Sequence, residues 1–295
     1  MNTKQLIHVK DLTDQYDLFL FDIDGTVLTG SGDPNAVAIT TTVIESINQL
    51  IAANKYVKFV SNSRVPRTRI LEIFHDLGMN NVIQLQDIVT PHSVFEVAVA
   101  DTLPPKPEYS VFYLSGNSSY YPAHDVLKLV ESRDIHSADI LYLDDHFRQQ
   151  AFNDYFHILS EAAQRKILIL SGDFDVTFNL DTKTIVNPTT TFASMCRKYG
   201  ARVINTHKPH NRIFELTINS IPFLESDKMI IIGDRIDLDI MGGYFVNIHS
   251  GFTLLTGDAA TLLRMDQDLD EMSKLQHAQK LLGGSLLEPT HYVYL

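Results

Sequence analysis

Two carboxylates stand one residue apart where a strongly apolar segment ends. Asp22 and Asp24 follow the run Leu-Phe-Leu-Phe at 18–21 and are continued by Gly25 and Thr26. Such a run is typical of a central parallel strand covered on both faces, and ligands of open α/β sheets bind at the carboxyl ends of such strands. The spacing of the two aspartates is also common in solvated turns, so the functional interpretation depends on the preceding strand.

Carboxylates this close repel each other, and burial raises their pKa values unless a cation or hydrogen bonds favour the charged forms. A divalent cation meets this need, and ligation by few protein oxygens suits Mg²⁺, which keeps waters and often binds substrate phosphate. Asp22 can then attack phosphorus as a nucleophile. Asp24 can protonate the leaving oxygen and later deprotonate water. The pair therefore predicts phosphoryl chemistry, which needs further positive charge and hydrogen-bond donors.

Two later strand ends carry such groups. The β-type run 56–60 stops at Ser61 and Asn62, which can donate hydrogen bonds to phosphoryl oxygens, although a Ser-Asn-Ser sequence is more often a cap or a turn. A further strand leads to Lys208, which can neutralise both Asp22 and a phosphoryl group, although most lysines are simply exposed. We expect the next residue, Pro209, at or near the first position of a helix.

A fourth strand end completes the set. The apolar run 229–232 ends in Gly233 and Asp234, and Asp239 follows near the start of a helical segment. Asp234 is the natural third carboxylate for a metal, and Asp239 can orient the site from outside the ligand sphere. A Gly-Asp pair after a strand is common, and this one is informative because it is the fourth polar strand end.

The order of these motifs, Asp-x-Asp-Gly-Thr, Ser-Asn, Lys-Pro and Gly-Asp, resembles that of the haloacid dehalogenase (HAD) superfamily of phosphohydrolases. The long insertion between the second and third motifs resembles the subclass with a C2-type cap, which includes p-nitrophenyl, phosphoglycolate, pyridoxal and nucleotide phosphatases. The resemblance implies an α/β protein: a Rossmann-like parallel-sheet core with an inserted α/β cap domain. We expect core segments at 1–86 and 201–295 and the cap at 87–200.

The resemblance also implies roles for the motif residues. Asp22 would be the nucleophile and Asp24 the general acid and base. Mg²⁺ would be held by Asp22, Asp234 and the main-chain carbonyl of Asp24, and the phosphoryl group would be bound by Ser61, Asn62 and Lys208.

The chain departs from the family pattern at two positions. Leu238 stands where the pattern has Thr, and His207 stands where Gly precedes Lys-Pro. Neither change replaces a charged residue, so we expect activity to survive, with an altered approach to Lys208. His207 and His210 resemble a metal pair, but without a nearby carboxylate we expect them to be solvated flanks.

The cap contains a second acidic loop. Three strands are predicted there, near 110–115, 138–143 and 166–170, and the third runs into Asp173 and Asp175. By resemblance this loop faces the active site and contacts the leaving group. An acidic turn on the cap surface is the alternative for each of the two aspartates.

The presence of Asp24 favours hydrolysis of a phosphate ester, because the leaving alcohol needs a proton and Asp24 can supply it. Hydrolysis of a small phosphomonoester, such as a sugar phosphate, a nucleotide or phosphoglycolate, fits best. A phospho-accepting receiver module also uses acidic groups, a hydroxyl and a lysine on a parallel sheet, but it needs neither Asp24 nor a cap. A ligand-sensing relative without turnover is the other alternative.

Composition limits the partners. The 295 residues carry a formal net charge of −12, which argues against a general basic surface for nucleic acid. The single cysteine, Cys196, cannot form an internal disulfide, and we find neither a signal peptide nor a membrane span. We expect a cytoplasmic protein whose partner is a small phosphorylated metabolite, and capped relatives suggest a homodimer through the cap.

The segment 291–295 is predicted to be an edge strand.

Overall fold

The computed structural model describes residues 5–28, 41–114, 127–143, 152–172, 177–179, 184–186, 188–253, 271–282, 285 and 288–295. The chain divides into two compact units. The first comprises Met1–Ser63, Arg67–Val89 and Lys208–Leu295, and the second comprises Arg64–Pro66 and Thr90–His207.

The described strands and helices alternate along most of the chain. The strands are β1 (Leu6–His8), β2 (Leu18–Phe21), β3 (Tyr56–Val60), β4 (Ile88–Val89), β5 (Tyr109–Tyr113), β6 (Leu129–Glu131), β7 (Ile140–Leu143), β8 (Leu168–Ser171), β9 (Thr177–Asn179), β10 (Thr184–Val186), β11 (Val203–Asn205), β12 (Met229–Gly233), β13 (His249–Thr253) and β14 (His291–Tyr294). The α-helices are α1 (Thr41–Ala52), α2 (Arg67–Asp76), α3 (Pro91–Thr102), α4 (Phe152–Arg165), α5 (Pro188–Lys198), α6 (Asn211–Ile218), α7 (Met241–Phe245) and α8 (Glu271–Leu282).

The first unit is built on a seven-stranded sheet in the order β1-β14-β13-β12-β2-β3-β4. Its pairings are parallel. Every residue of β2 and β12 is buried, as expected for central strands covered on both faces. Helix α2 ends at Asp76, and nearby Gly78 has a φ of +88°, which stops the helical conformation. A π-helical turn, Ile236–Ile240, leads into α7.

The second unit contains a five-stranded parallel sheet in the order β11-β8-β7-β5-β6 and a separate antiparallel pair, β9 and β10. Side chains of β7 alternate between two hydrophobic clusters. Leu141 and Leu143 pack in a cluster with residues of α4 and α5, whereas Ile140 and Tyr142 pack in a cluster with residues of α3. The sheet is therefore covered on both faces, and the predicted α/β fold class is confirmed. Cys196 lies in the first of these clusters, and burial raises the pKa of its thiol to about 11.

Two sequence expectations differ from the structure. Strand β11 follows position 201, where the second core segment was expected to begin, but it pairs in parallel with β8 in the second unit's sheet. Strand β14 is not an edge strand, since β1 pairs on its outer side and Tyr292 is fully buried. Pro209 lies directly before the N-cap of α6, His210, and two residues before its first residue, so it is near the first helical position, as expected.

None of the helices in the described part of the chain combines the length and the hydropathy needed to cross a bilayer.

Candidate active site

Neighbouring strands of the first unit bring three predicted carboxylates together. The register pairs Phe21 of β2 with Ile232 of β12, and the main-chain N–H of Asp22 continues this ladder to the carbonyl of Ile232 at 2.9 Å. Asp22 therefore leaves its strand beside Asp234. Carboxylate oxygens of Asp22, Asp234 and Asp239 lie within 4.8 Å of one another, and all three residues are buried. The sequence prediction that these motifs share one site edge agrees with this geometry.

A tight turn after β2 supplies a hydroxyl to this cluster. Gly25 has a φ of +92°, and its N–H donates to the carbonyl of Leu28 at 2.7 Å, which folds the chain back on itself. The turn buries Thr26 completely. Its hydroxyl is 3.3 Å from Oδ2 of Asp22 and 3.4 Å from Oδ1 of Asp234, so its single hydrogen is shared between the two carboxylates. Sequence reasoning quoted Thr26 in the motif but gave it no role.

Lys208 is the cation of the cluster. Its Nζ donates to Oδ1 of Asp22 at 2.5 Å and to Oδ1 of Asp239 at 2.7 Å, and the residue is 1% exposed. Burial alone would lower the pKa of Lys208, but the two carboxylates outweigh that effect and raise it. The lysine is therefore held in its charged form beside the predicted nucleophile, as the sequence interpretation required.

Asn62 holds the main chain of Lys208. Its Oδ1 accepts the N–H of Lys208 at 2.7 Å, and its Nδ2 donates to the carbonyl of Lys208 at 3.2 Å. These bonds hold the backbone of Lys208, three residues before α6 begins at Asn211. One hydrogen of the Asn62 amide remains for another acceptor. Its predicted contact with a phosphoryl group stays a prediction.

Ser61 connects the second motif to Asp24. Its hydroxyl donates to Oδ2 of Asp24 at 3.2 Å and accepts the N–H of Ser63 at 2.9 Å. Asp24 itself is exposed. Desolvation by the surrounding protein raises the pKa of Asp24, and the negative charge of Asp22 raises it further, while the bond from Ser61 works in the opposite direction. A carboxyl group with a raised pKa beside a carboxylate is suited to donate a proton.

Asp239 contacts Lys208 from the π-helical turn that follows β12. Its other oxygen, Oδ2, accepts the main-chain N–H of Arg235 at 3.1 Å. A β-carbon built on Gly233 would lie 2.2 Å from the Asp239 carboxylate, so only glycine leaves room for it. Burial raises the pKa of Asp239, and the Lys208 ammonium opposes this rise. Asp239 therefore contacts Lys208, and its predicted orienting role stays a prediction.

The donor set fits a divalent cation. Within the group formed by Asp22, Asp234, Asp239 and Lys208, three carboxylates face one ammonium, which leaves two negative charges in a buried place. Buried charge of this kind is unfavourable unless it is paired or coordinates a metal, and oxygen-only donors suit Mg²⁺.

One side chain near these motifs departs from the sequence expectations. His207 was expected to be a solvated flank, but it is 1% exposed, with its Nδ1 2.8 Å from the hydroxyl of Thr206. Leu238, which stands in a usual Thr position, is buried in the π-helical turn. Asp173 and Asp175, the predicted specificity residues, lie outside the described residues.

Comparisons with known proteins agree with this architecture. Residues 19–128 match a family described as haloacid dehalogenase-like hydrolase. A possible sugar phosphatase from Cytophaga hutchinsonii is 20% identical, with a TM-score of 0.60 over 98% of this chain and 97% of that one. A p-nitrophenyl phosphatase from Archaeoglobus fulgidus is 18% identical, with a TM-score of 0.59 over 95% and 96% of the two chains.

A third solved structure is a glycerol phosphate phosphatase from Mycobacterium tuberculosis in complex with calcium. It is 17% identical and has a TM-score of 0.58, covering 96% of this chain and 74% of that one. No curated protein matches the chain. At these identities the structural likeness establishes the fold, and it is the fold that the motifs predicted.

Proposed function

We propose that this chain, a haloacid dehalogenase-like protein by its sequence match over residues 19–128 and by its fold, is a Mg²⁺-dependent phosphatase of a small phosphomonoester. One observation carries the proposal. Asp22 is buried with one carboxylate oxygen on the Lys208 ammonium and the other on the Thr26 hydroxyl, while Asp24, with a raised pKa, is exposed two residues away. Hydrolysis of an ester through an aspartyl-phosphate needs two such groups: a carboxylate held in place as the nucleophile, and a neighbouring carboxyl that can release a proton.

The reaction divides between these two residues. An oxygen of Asp22 attacks phosphorus, the bond from phosphorus to the ester oxygen breaks, and Asp24 gives its proton to the leaving alcohol. Asp24, now a carboxylate, takes a proton from the water that attacks the phosphorus of the aspartyl-phosphate, and inorganic phosphate leaves as Asp22 is restored. Lys208 offsets the negative charge that gathers on the phosphoryl oxygens.

The metal would be held by Asp22, Asp234 and the main-chain carbonyl of Asp24. When bound, it supplies positive charge to the transferring phosphoryl group. Thr26 would fix the two carboxylates in place, since its hydroxyl reaches both.

The substrate class is a phosphate ester of a small alcohol. The similar solved structures are described as a possible sugar phosphatase, a p-nitrophenyl phosphatase and a glycerol phosphate phosphatase. We assign the choice among such alcohols to the cap, with Asp173 and Asp175 as the residues to test first. A cytoplasmic location and a homodimer through the cap remain part of the proposal.

The test follows phosphate release from p-nitrophenyl phosphate, sugar phosphates, glycerol phosphate, nucleotides, phosphoglycolate and pyridoxal phosphate. We expect release with Mg²⁺, loss of release with a chelator, and recovery when Mg²⁺ is restored. Asp22→Asn should abolish turnover, whereas Asp14→Asn, which removes an exposed charge elsewhere in the same unit, should leave it unchanged. Activity retained in Asp22→Asn would falsify the nucleophile assignment. A long-lived phosphoprotein without release would favour the receiver alternative.

A further inference from the structure

Asp24 is held by two serine side chains that lie close together in the sequence. The hydroxyl of Ser61 donates to Oδ2 of Asp24 at 3.2 Å. The side chain of Ser63 forms a second hydrogen bond with the same carboxyl group. All three residues belong to the first unit. The reaction described above uses Asp24, but it gives no role to Ser63.

The two serines are themselves fixed in place. The main-chain N–H of Ser61 donates to the carbonyl of Val89 at 3.1 Å, one residue beyond the last pair between β3 and β4, and Ser61 is 1% exposed. Its hydroxyl oxygen accepts the main-chain N–H of Ser63 at 2.9 Å, which closes a short turn. A main-chain N–H can only donate, so this bond holds Ser63 whether or not Asp24 carries a proton.

The main chain of Asp24 is restrained from the other side. Asp24 forms an isolated parallel bridge with Leu28, and the N–H of Gly25 donates to the carbonyl of Leu28 at 2.7 Å. These bonds fix the backbone of the turn. They leave the carboxyl group free to rotate about its side-chain bonds, since Asp24 is exposed. The contacts with Ser61 and Ser63 restrain that rotation.

A carboxyl group held in this way keeps both of its tasks in the proposed reaction. A hydroxyl can donate to a carboxyl oxygen in either state, because a protonated carboxyl keeps acceptor capacity beside its own O–H. The serines can therefore stay in contact while Asp24 gives its proton to the ester oxygen, as the bond from that oxygen to phosphorus breaks. They can also stay while it later takes a proton from water. Both transfers need the carboxyl within hydrogen-bond reach of its partner.

We propose that Ser63 is a positioning residue for the proton transfer: together with Ser61 it orients the Asp24 carboxyl toward the leaving oxygen. This role rests on the proposed function, because it assumes that Asp24 protonates a leaving alcohol. It makes the effect of losing Ser63 depend on the leaving group. An alkyl alcohol needs the proton, whereas nitrophenolate leaves without one.

The test compares Ser63→Ala, which removes the hydroxyl, with Ser63→Thr, which keeps it. Ser220→Ala is the matched control, because the hydroxyl of Ser220 also forms a hydrogen bond, to the carbonyl of Thr217 at 2.6 Å, outside the motifs. Rapid-quench measurements follow the alcohol released in the first turnover from p-nitrophenyl phosphate and from an alkyl ester. The alkyl ester is glycerol phosphate or the sugar phosphate that the parent protein hydrolyses fastest.

The expected result is a difference between the two esters. Ser63→Ala should slow release of the alkyl alcohol roughly tenfold, as for loss of one hydrogen bond to a charged group. Release of nitrophenol in the same variant should stay within about twofold of the parent. Ser63→Thr should restore most of the alkyl rate, and Ser220→Ala should match the parent with both esters. In the Asp24→Asn background, Ser63→Ala should add little further loss.

Three results would overturn the role of Ser63 while leaving the proposed function in place. They are equal rates in Ser63→Ala and the parent, equal slowing with both esters, and a loss that Ser63→Thr does not restore. A parent protein that releases nitrophenol but no alkyl alcohol would also overturn it, because no proton transfer to a leaving group would then be needed. If the parent releases no alcohol from any ester of the panel, the proposed function fails, and the role of Ser63 fails with it.

Discussion

Lys208 and Asp239 form an ion pair that is closed to solvent on both sides. The Nζ of Lys208 lies 2.7 Å from Oδ1 of Asp239, and the two side chains are 2% and 0% exposed. The same ammonium contacts Asp22 at 2.5 Å. Lys208 therefore has two carboxylate partners, and Asp239 holds its ammonium beside the proposed nucleophile. Because burying both charges costs desolvation energy, we expect this ion pair to orient Lys208 more than it adds to the free energy of unfolding.

Replacing Asp239 with Asn should damage both stability and turnover. The change leaves the Lys208 charge with only one carboxylate partner, and breaking a buried pair costs about 3–5 kcal/mol. We expect a lower free energy of unfolding, measured by urea denaturation, and a loss of kcat of at least roughly tenfold. Asp237→Asn is the control, since Asp237 pairs with Arg235 at a half-buried position. A result in which the two variants behave alike would contradict this account.

Gly233→Ala should also lower kcat, as Asp239→Asn does, but without removing a charge. A β-carbon there would overlap the Asp239 carboxylate at 2.2 Å, so Asp239 must move away from Lys208. We expect lower phosphate affinity and lower kcat. The matched control is Gly251→Ala on the adjacent strand, where the new methyl would meet only side-chain carbons, the nearest at 3.2 Å. Equal activity in the two alanine variants would show that Asp239 has room to adjust.

The site edge could be predicted from sequence because parallel strands place their carboxyl ends together. Asp22 and Asp234 follow strands that are buried along their whole length, and such strands lie at the centre of a sheet. Because both strands are central and parallel, the two carboxylates must lie at the same edge of the sheet. Lys208 was identified by the chemistry that the two carboxylates require, and the structure brings its Nζ to Asp22.

The partners of short segments could not be predicted in the same way. Strand β11 has only three residues, all half-buried, and nothing in its pattern selects one sheet over the other. The side-chain amide of Asn62 can form hydrogen bonds with a phosphate or with a peptide group. Only the folded structure shows that its partner is the main chain of Lys208. The contact between Thr26 and Asp22 has a signal in the sequence, namely a hydroxyl four residues after the aspartate.

Metal binding should reverse the effect of removing Asp234. Without metal, Asp234→Asn removes a buried negative charge from a cluster with too few cations, so the variant should be more stable than the parent. With Mg²⁺ at about 100 times its Kd the parent gains roughly 2.7 kcal/mol, and the variant should gain much less. Thermal unfolding with chelator and with Mg²⁺ measures both arms, with Asp14→Asn as the control for net charge. A variant less stable under both conditions would argue against a metal at this cluster.

Asp139 should make the second unit sensitive to acid. Burial alone would raise the pKa of Asp139, but bonds from the Lys106 ammonium and from the N–H and O–H of Ser110 outweigh it and lower the pKa. A carboxyl whose pKa is lower when folded contributes stability above its unfolded pKa, about 3.9, and loses it as pH falls through the folded pKa. The hydrogen-exchange protection factors at β5, which allow for the intrinsic exchange rate at each pH, should therefore fall at low pH in the parent and change less in Asp139→Asn. Parallel pH profiles in the two proteins would refute the assignment.

Asp24→Asn should separate the two halves of the proposed reaction. Nitrophenolate leaves without needing a proton, so the attack by Asp22 on p-nitrophenyl phosphate should survive, whereas attack on glycerol phosphate should slow by roughly 10² to 10⁴. The second half needs Asp24 to deprotonate water in both cases. Rapid-quench measurements on the variant should show a burst of about one nitrophenol per protein followed by slow turnover, and no burst of glycerol. Equal slowing of the first step with both esters would mean that Asp24 does not protonate the leaving group.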